Sequence, residues 1–184
     1  MKLSRTLLAG FAMLALSAGA SFADENPVVG GAAMFPAKNI VENAVNSKDH
    51  TTLVAAVKAA GLVDTLMSAG PFTVFAPVNA GFEKLPAGTV ETLLKPENKA
   101  TLVKVLTYHV VAGKMSAADL KKAIEMGGGK AVLKTVAGGD LTAMMNGADI
   151  ELMDAKGGKS KVTIGNVFQS NGVIHVIDNV LLPG

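Results

Sequence analysis

The sequence predicts an α+β fold in which helices come first and strands follow. Apolar residues recur at helical spacing between residues 39 and 126, whereas residues 130–182 contain short alternating runs separated by Gly-Gly and Asn-Gly turn signals. A single early strand, residues 72–75, interrupts the helical half. Helices followed by strands are typical of domains in which helices pack around a largely antiparallel sheet.

The first 23 residues have the pattern of a signal peptide. Lys2 and Arg5 form a positive region, an apolar run of about fifteen residues follows, and Ser21-Phe22-Ala23 places small residues at the two positions that signal peptidase reads. The run is shorter than the roughly 20 residues that span a bilayer. We therefore expect cleavage after Ala23, export to the periplasm or the extracellular space, and no membrane span afterwards.

The composition after Ala23 bears on the partner and the domain count. Lys2 and Arg5 are two of the seventeen basic residues, so fifteen basic and fifteen acidic residues remain, and nothing favours nucleic acid as a partner. The absence of cysteine excludes cysteine catalysis and disulfides. The remaining 161 residues predict a mobile leader over 24–35 and a single, monomeric domain over 36–184.

The first predicted helices carry start and stop signals. Asn39 is expected to cap the first helix, and Thr51 or Thr52 the second. After the early strand, Asn79 is the predicted cap of a short helical turn that Pro86 stops.

The next helices lead into the strand-rich half. An apolar helix over residues 98–106 is followed by Tyr108-His109-Val110-Val111, which we interpret as a buried strand because β-branched residues take over. Ser116 and Asp119 have the spacing of a capping box that opens a helix reaching Met126. The glycines at 127–129 are expected to stop that helix.

The second half predicts strands over residues 131–136, 140–145, 150–153, 160–164, 172–177 and 179–182. The closing stretch, Asn171 to Pro183, is almost entirely β-branched or aliphatic, which is typical of strands buried on both faces. His175 stands out as a polar residue in the interior of this apolar run.

No catalytic or cofactor pattern is complete. No serine lies in a G-x-S-x-G sequence, and the glycines at 127–129 are followed by Lys130 and Ala131, which does not match a phosphate-binding loop. The three histidines are widely separated, but His109 and His175 could meet Asp178 in space and form a metal or catalytic site. A histidine satisfied within the core is the commoner explanation, so we expect no catalytic residue, no metal and no cofactor.

Three stretches together resemble the fasciclin domain family. Residues 73–86, TVFAPVNAGFEKLP, are similar to its first motif, Tyr108-His109 to its central motif, and Asn171–Pro183 to its second motif. The resemblance assigns structural roles to Thr73, Phe75, Ala76, Pro77, Asn79, Phe82, Gly172, His175, Val176, Asp178, Leu182 and Pro183.

This resemblance implies a wedge or sandwich of about six or seven strands, with helices packed around it mostly from the N-terminal half. It also implies an exported, non-enzymatic protein of cell adhesion or the extracellular matrix, with a cell-surface or matrix protein or a polysaccharide as partner. Tyr108 and His109 become candidate binding residues, although their apolar surroundings favour a place in the core. The alternative is a periplasmic protein that binds a small ligand or a metal, or an enzyme using His109, His175 and Asp178.

Overall fold

Seven strands form one curved sheet. The computed structural model describes residues 26–184, and the predicted signal peptide, residues 1–23, lies outside the described residues. The strands are β1 (Phe72–Pro77), β2 (Val110–Ala112), β3 (Lys130–Lys134), β4 (Asp140–Asn146), β5 (Asp149–Met153), β6 (Lys159–Gln169) and β7 (Gly172–Ile177). Their order is β2-β1-β7-β6-β5-β4-β3, and β1 pairs with β7 in parallel. A bridge between Val111 and Thr135 nearly closes the sheet.

Helices surround this sheet. They are α1 (Ile40–Ala44), α2 (Thr51–Ala60), α3 (Val63–Met67), α4 (Asn79–Glu83), α5 (Thr89–Leu94), α6 (Lys99–Tyr108) and α7 (Ala117–Met126), with short 3₁₀ turns at Lys48–His50 and Pro96–Asn98. All but α7 precede β2 in the chain. The predicted α+β architecture, with its strand number and its mainly N-terminal helices, is confirmed.

Two apolar cores lie on opposite faces of the central strands. Val74 of β1 and Ile174 of β7 pack into the first core with α1 to α4 and α6. Phe75 and Ile177 point the other way, into a second core with α7 and β3 to β5. Every residue of β7 is buried, so the predicted burial of this strand on both faces is confirmed.

Strands β3 to β6 form an antiparallel meander with one covered face. Leu133, Leu141 and Leu152 point inward and pack with Leu120 and Ile124 of α7 in the second core. The alternate residues of β3, β4 and β5 are exposed or half-buried. This alternation leaves the outer face of the meander in contact with solvent.

Two of the predicted helix starts are confirmed in atomic detail. The Asn39 side chain accepts a hydrogen bond from the Glu42 amide, and the Glu42 carboxylate accepts one from the Asn39 amide. Ser116 and Asp119 form the same reciprocal pair at the start of α7. Both caps use residues three apart in the chain, so local sequence is sufficient to specify them.

The cap predicted at Asn79 is wrong, because this side chain serves a different helix. Asn79 lies inside α4, and its Oδ1 accepts a hydrogen bond from the Thr52 amide at 3.0 Å in the first turn of α2. Its Nδ2 donates to the Lys48 carbonyl at 2.9 Å. Neither Thr51 nor Thr52 caps α2 with its own side chain, since the N-cap residue is His50.

The interpretation of Tyr108 and His109 as strand residues is also wrong. Tyr108 is the last residue of α6, His109 follows as its C-cap, and β2 begins only at Val110. The His109 Nδ1 lies 2.8 Å from the Val105 carbonyl one helical turn earlier. This side-chain bond satisfies a carbonyl in the last turn of the helix.

The predicted last strand, residues 179–182, is absent from the described fold, in which residues 178–184 have no regular structure. The backbone amides of this segment bond to side chains instead of a neighbouring strand. The Leu181 amide donates to His109 Nε2 at 2.9 Å, and the Leu182 amide donates to Asp154 Oδ2 at 2.9 Å. These acceptors come from distant parts of the chain, so the apolar pattern alone could not reveal them.

Strand β6 extends beyond the predicted residues 160–164. The prediction ended early because two irregularities break the alternation of the strand. The pairing with β7 shifts between Val162 and Ile164 and again between Ile164 and Val167. Asn166 has a φ of 60° within the second shift, and its Oδ1 accepts a hydrogen bond from the Ala117 amide at the start of α7. The bulge therefore places a side chain against the helix that covers the second core.

From Asn26 onward, the segment predicted as a mobile leader packs against the domain. The Asn26 Oδ1 accepts a hydrogen bond from the Phe168 amide at 2.7 Å. Val29 and Met34 are buried in the first core. Asn43, itself fully buried, bonds to both backbone groups of Phe35.

Candidate functional site

Tyr108, the first residue of the central motif, lies wholly inside the second core. Its hydroxyl donates a hydrogen bond to the Asp140 carbonyl at 2.6 Å and accepts one from the Ala155 amide at 3.0 Å. Burial raises the pKa of Tyr108, so the hydroxyl stays protonated. The side chain thereby joins the end of α6 to the start of β4 and the segment after β5.

His109, the second motif residue, is 2% exposed and lies between α6 and the C-terminal segment. Its Nδ1 donates to the Val105 carbonyl, which leaves Nε2 as the acceptor for the Leu181 amide. Burial lowers the pKa of His109 to about 4. At neutral pH the imidazole is therefore uncharged, and both ring nitrogens are occupied.

His175 has a comparable environment on β7. Its ring stacks on Phe75 with centroids 5.7 Å apart, Nε2 lies 2.8 Å from the Met115 carbonyl, and Nδ1 lies 3.4 Å from the Asn166 amide. Burial lowers the pKa of His175. The residue therefore fastens the loop before α7 and the bulge of β6 to the central strand.

Asp178 lies at the end of β7 in a third, separate set of bonds. Its Oδ1 accepts from the Lys161 amide at 2.8 Å and from the Ser160 hydroxyl at 3.1 Å. His109, His175 and Asp178 thus have three different sets of hydrogen-bond partners. Within residues 26–184, no group of three histidine, aspartate or glutamate side chains is placed to hold a metal ion.

The remaining family-motif residues also make internal contacts. The Thr73 hydroxyl donates to the Gly113 carbonyl at 2.6 Å and accepts from the Met115 amide at 2.9 Å. Gly172 opens β7 where the backbone of Phe72 approaches so closely that no side chain would fit. The others lie in β1, α4, β7 or the C-terminal segment, and are Ala76, Pro77, Phe82, Val176, Leu182 and Pro183.

A polar cluster beneath α1 was not predicted from the sequence. Asn171, the first residue of the predicted closing stretch, accepts a hydrogen bond from the Ile40 amide and donates to the Leu66 and Ser68 carbonyls. It therefore ties α1 and the end of α3 to the β6–β7 turn. The Asn-Gly pair was a visible signal for a turn, but nothing local indicated these distant partners.

An apolar cavity of about 70 Å³ lies between α1, α2, α3 and the sheet. We call it the α1–α3 cavity. Most of its wall is aliphatic, and the polar residues that line it are Ser47, His50, Lys58, Thr65, Thr107 and His109. Helical spacing of apolar residues does not predict this cavity, because a cavity wall and a packed core have the same spacing.

The solvent-facing side of the β3–β6 meander is a second candidate site. Val132, Thr142 and Met153 are aligned across β3, β4 and β5, with Met144 beside them on β4. Val132 is 64% exposed. Charged residues flank this apolar strip and form the ion pairs Lys134–Asp140, Lys159–Glu151 and Lys161–Asp149. We call Val132, Thr142, Met144 and Met153, together with this charged border, the outer meander face.

This fold and its buried Tyr-His motif define the class of protein. Residues 48–183 match the Fasciclin domain family. The chain belongs to this family.

Bacterial relatives cover most of the chain. Protein sll1483 of Synechocystis sp. is 45% identical over 181 residues, covering 97% of this chain and 93% of that protein. The cell surface glycolipoprotein MPB83 of Mycobacterium bovis is 36% identical over 170 residues, covering 89% of this chain and 70% of that protein. The immunogenic protein MPB70 of the same species is 37% identical over 145 residues, covering 76% and 66%.

A solved structure has the same fold. A FAS1 domain pair from the insect cell adhesion molecule fasciclin I matches with a TM-score of 0.72 at 20% identity. The match covers 80% of this chain and 51% of the domain pair. Among residues 26–184, none of the helices is long and apolar enough to cross a membrane.

Proposed function

We propose that this protein is an exported, non-enzymatic interaction module of the periplasm, cell surface or extracellular matrix, and that it binds a protein or polysaccharide partner. Family membership supports an adhesion-type role, as does the likeness to a mycobacterial relative that is named a cell surface glycolipoprotein. The proposal gives no catalytic role to His109, His175 or Asp178, whose side chains already form internal hydrogen bonds.

The burial of the Tyr-His motif is the observation that favours another surface as the binding site for the partner. Tyr108 and His109 are 0% and 2% exposed, so a partner could reach them only if α6 or the C-terminal segment moved away. We therefore propose that both residues stabilise the fold without touching the partner. The same holds for His175, which is fully buried.

The outer meander face is the proposed contact surface. It combines an apolar centre at Val132, Thr142, Met144 and Met153 with a charged border. This arrangement is typical of protein interfaces, in which a polar rim surrounds an apolar centre. Strand pairing already holds the backbone of this face in one conformation. Binding would therefore cost little backbone conformational entropy.

Binding of the purified protein to intact cells and matrix preparations tests this proposal. We expect saturable binding that Thr142→Arg reduces at least severalfold, because a long charged side chain would stand in the middle of the apolar strip. Thr101→Arg, on the exposed side of α6, is the matched control and should bind normally. Absence of saturable binding across cell, matrix and glycan panels would refute the module, and equal effects of the two variants would refute the face.

A further inference from the structure

The α1–α3 cavity has walls that suit a hydrocarbon and do not suit water. The Ser47 hydroxyl and His50 Nδ1 lie 2.8 Å apart, His50 Nε2 faces the Ala76 carbonyl at 3.3 Å, and Thr107 donates to the Val103 carbonyl at 2.7 Å. Every buried side-chain nitrogen and oxygen in residues 26–184 has such a partner.

The volume of the cavity supports the same reading. At about 70 Å³ it has room for more than one water molecule, yet a water molecule needs two to four polar partners. The buried side chains of the wall have no free polar atom, so an occupant of the interior gains most by being apolar.

The rim of the cavity provides an apolar path along which a hydrocarbon chain could leave the interior. Val41 on α1, Val54 on α2, and Leu62 and Val63 at α3 all line the cavity and are half-buried. An occupant that fills the interior with one end could therefore keep apolar contacts as it leaves. The cavity alone admits only a few carbon atoms, which favours one narrow chain over a bulky ring system.

Lys58 supplies a positive charge at this rim. It lines the cavity, is exposed on α2, and belongs to none of the four ion pairs found in residues 26–184. A lysine in such a place lays its aliphatic stem along apolar surface and keeps its ammonium in water. Its charge complements one carboxylate.

We propose that the α1–α3 cavity is the inner end of a binding site for a single-chain fatty acid, with the hydrocarbon tail inside and the carboxylate beside Lys58. This site lies on the helical side of the sheet and is separate from the outer meander face. It goes beyond the proposed surface function and does not depend on it.

Fluorescence titration with cis-parinaric acid and its methyl ester tests the site on the purified protein. We expect saturable binding of one acid per chain and weaker binding of the ester. Lys58→Glu should weaken binding of the acid about fivefold, which is the upper range for an exposed ion pair. Binding of the ester should be nearly unchanged. Lys121→Glu, an exposed lysine on α7, is the matched charge control. Equal effects of Lys58→Glu on acid and ester, or no saturable binding, would overturn the proposal.

A pair of alanine substitutions tests the cavity itself. Ala44 lines the cavity, whereas Ala55 is exposed on α2 and does not line it. Ala44→Phe should weaken binding of both probes roughly tenfold, which is the effect of displacing about two buried methylene groups. Ala55→Phe should leave the binding of both probes unchanged. If circular dichroism shows that Ala44→Phe does not fold, Val54→Thr takes its place and should weaken both probes by adding a hydroxyl at nearly constant volume. Unchanged binding in the folded lining variant would overturn the proposal.

Discussion

Replacing His109 with alanine should destabilise the protein strongly at neutral pH. The substitution leaves the Val105 carbonyl and the Leu181 amide without their buried partner. Each such loss costs about 1–3 kcal/mol. We therefore expect the free energy of unfolding to fall by roughly 2–6 kcal/mol, a large fraction of the 5–15 kcal/mol typical of a domain. Urea unfolding followed by circular dichroism measures this difference.

The same side chain should make stability depend on pH. Because the pKa of His109 is about 4 in the folded protein and 6.5 as the ordinary value, the unfolded chain binds the proton more readily. The stabilising contribution is complete above about pH 6.5 and is lost as the pH falls toward about 4, for a total of about 3 kcal/mol. The lowered pKa values of His50 and His175 act in the same direction.

The control for this experiment is Thr101→Ala, on the exposed side of α6. It should change stability by less than about 0.5 kcal/mol, as is usual for surface positions. His109→Ala should also flatten the decline of stability between pH 6.5 and 4 without abolishing it, since two other buried histidines remain. An unchanged unfolding midpoint in His109→Ala, together with lost partner binding, would identify His109 as a contact residue and refute its structural role.

Two further substitutions test single hydrogen-bonding groups. Tyr108→Phe removes the hydroxyl between Asp140 and Ala155 and should cost about 1–3 kcal/mol in urea unfolding; no loss would mean that these bonds contribute nothing to stability. Asn79→Ala removes the acceptor at the Thr52 amide and should cost about 1 kcal/mol, with a thermal midpoint lowered by a few degrees; a neutral result would contradict its role as the cap of α2.

Local sequence was sufficient where both partners lie within a few residues. The capping boxes at Asn39 and Ser116 and the helix stop at Gly127 follow from side chains and glycines in one turn of chain. The strand β7 was also predictable, because a run that is apolar at nearly every position is typical of strands buried on both faces. Fold class followed from the order of these elements.

Features that depend on distant partners were beyond the sequence pattern. Residues 179–182 look like a strand, yet His109 and Asp154 take the amides that a neighbouring strand would have bonded. Asn79 resembles a local cap but serves α2. The α1–α3 cavity was equally hidden, since helical periodicity shows which side chains face inward and not whether they fill the space.

Nuclear magnetic resonance titration of the imidazole nitrogens tests most directly whether the Tyr-His motif belongs to the core. His109 should remain neutral at pH 6, carry its proton on Nδ1, and titrate near pH 4 if the fold persists that far. His50 and His175 should also titrate below the ordinary value of 6.5. A His109 that titrates at about 6.5 with rapid exchange between tautomers would contradict the account and place the motif at the surface.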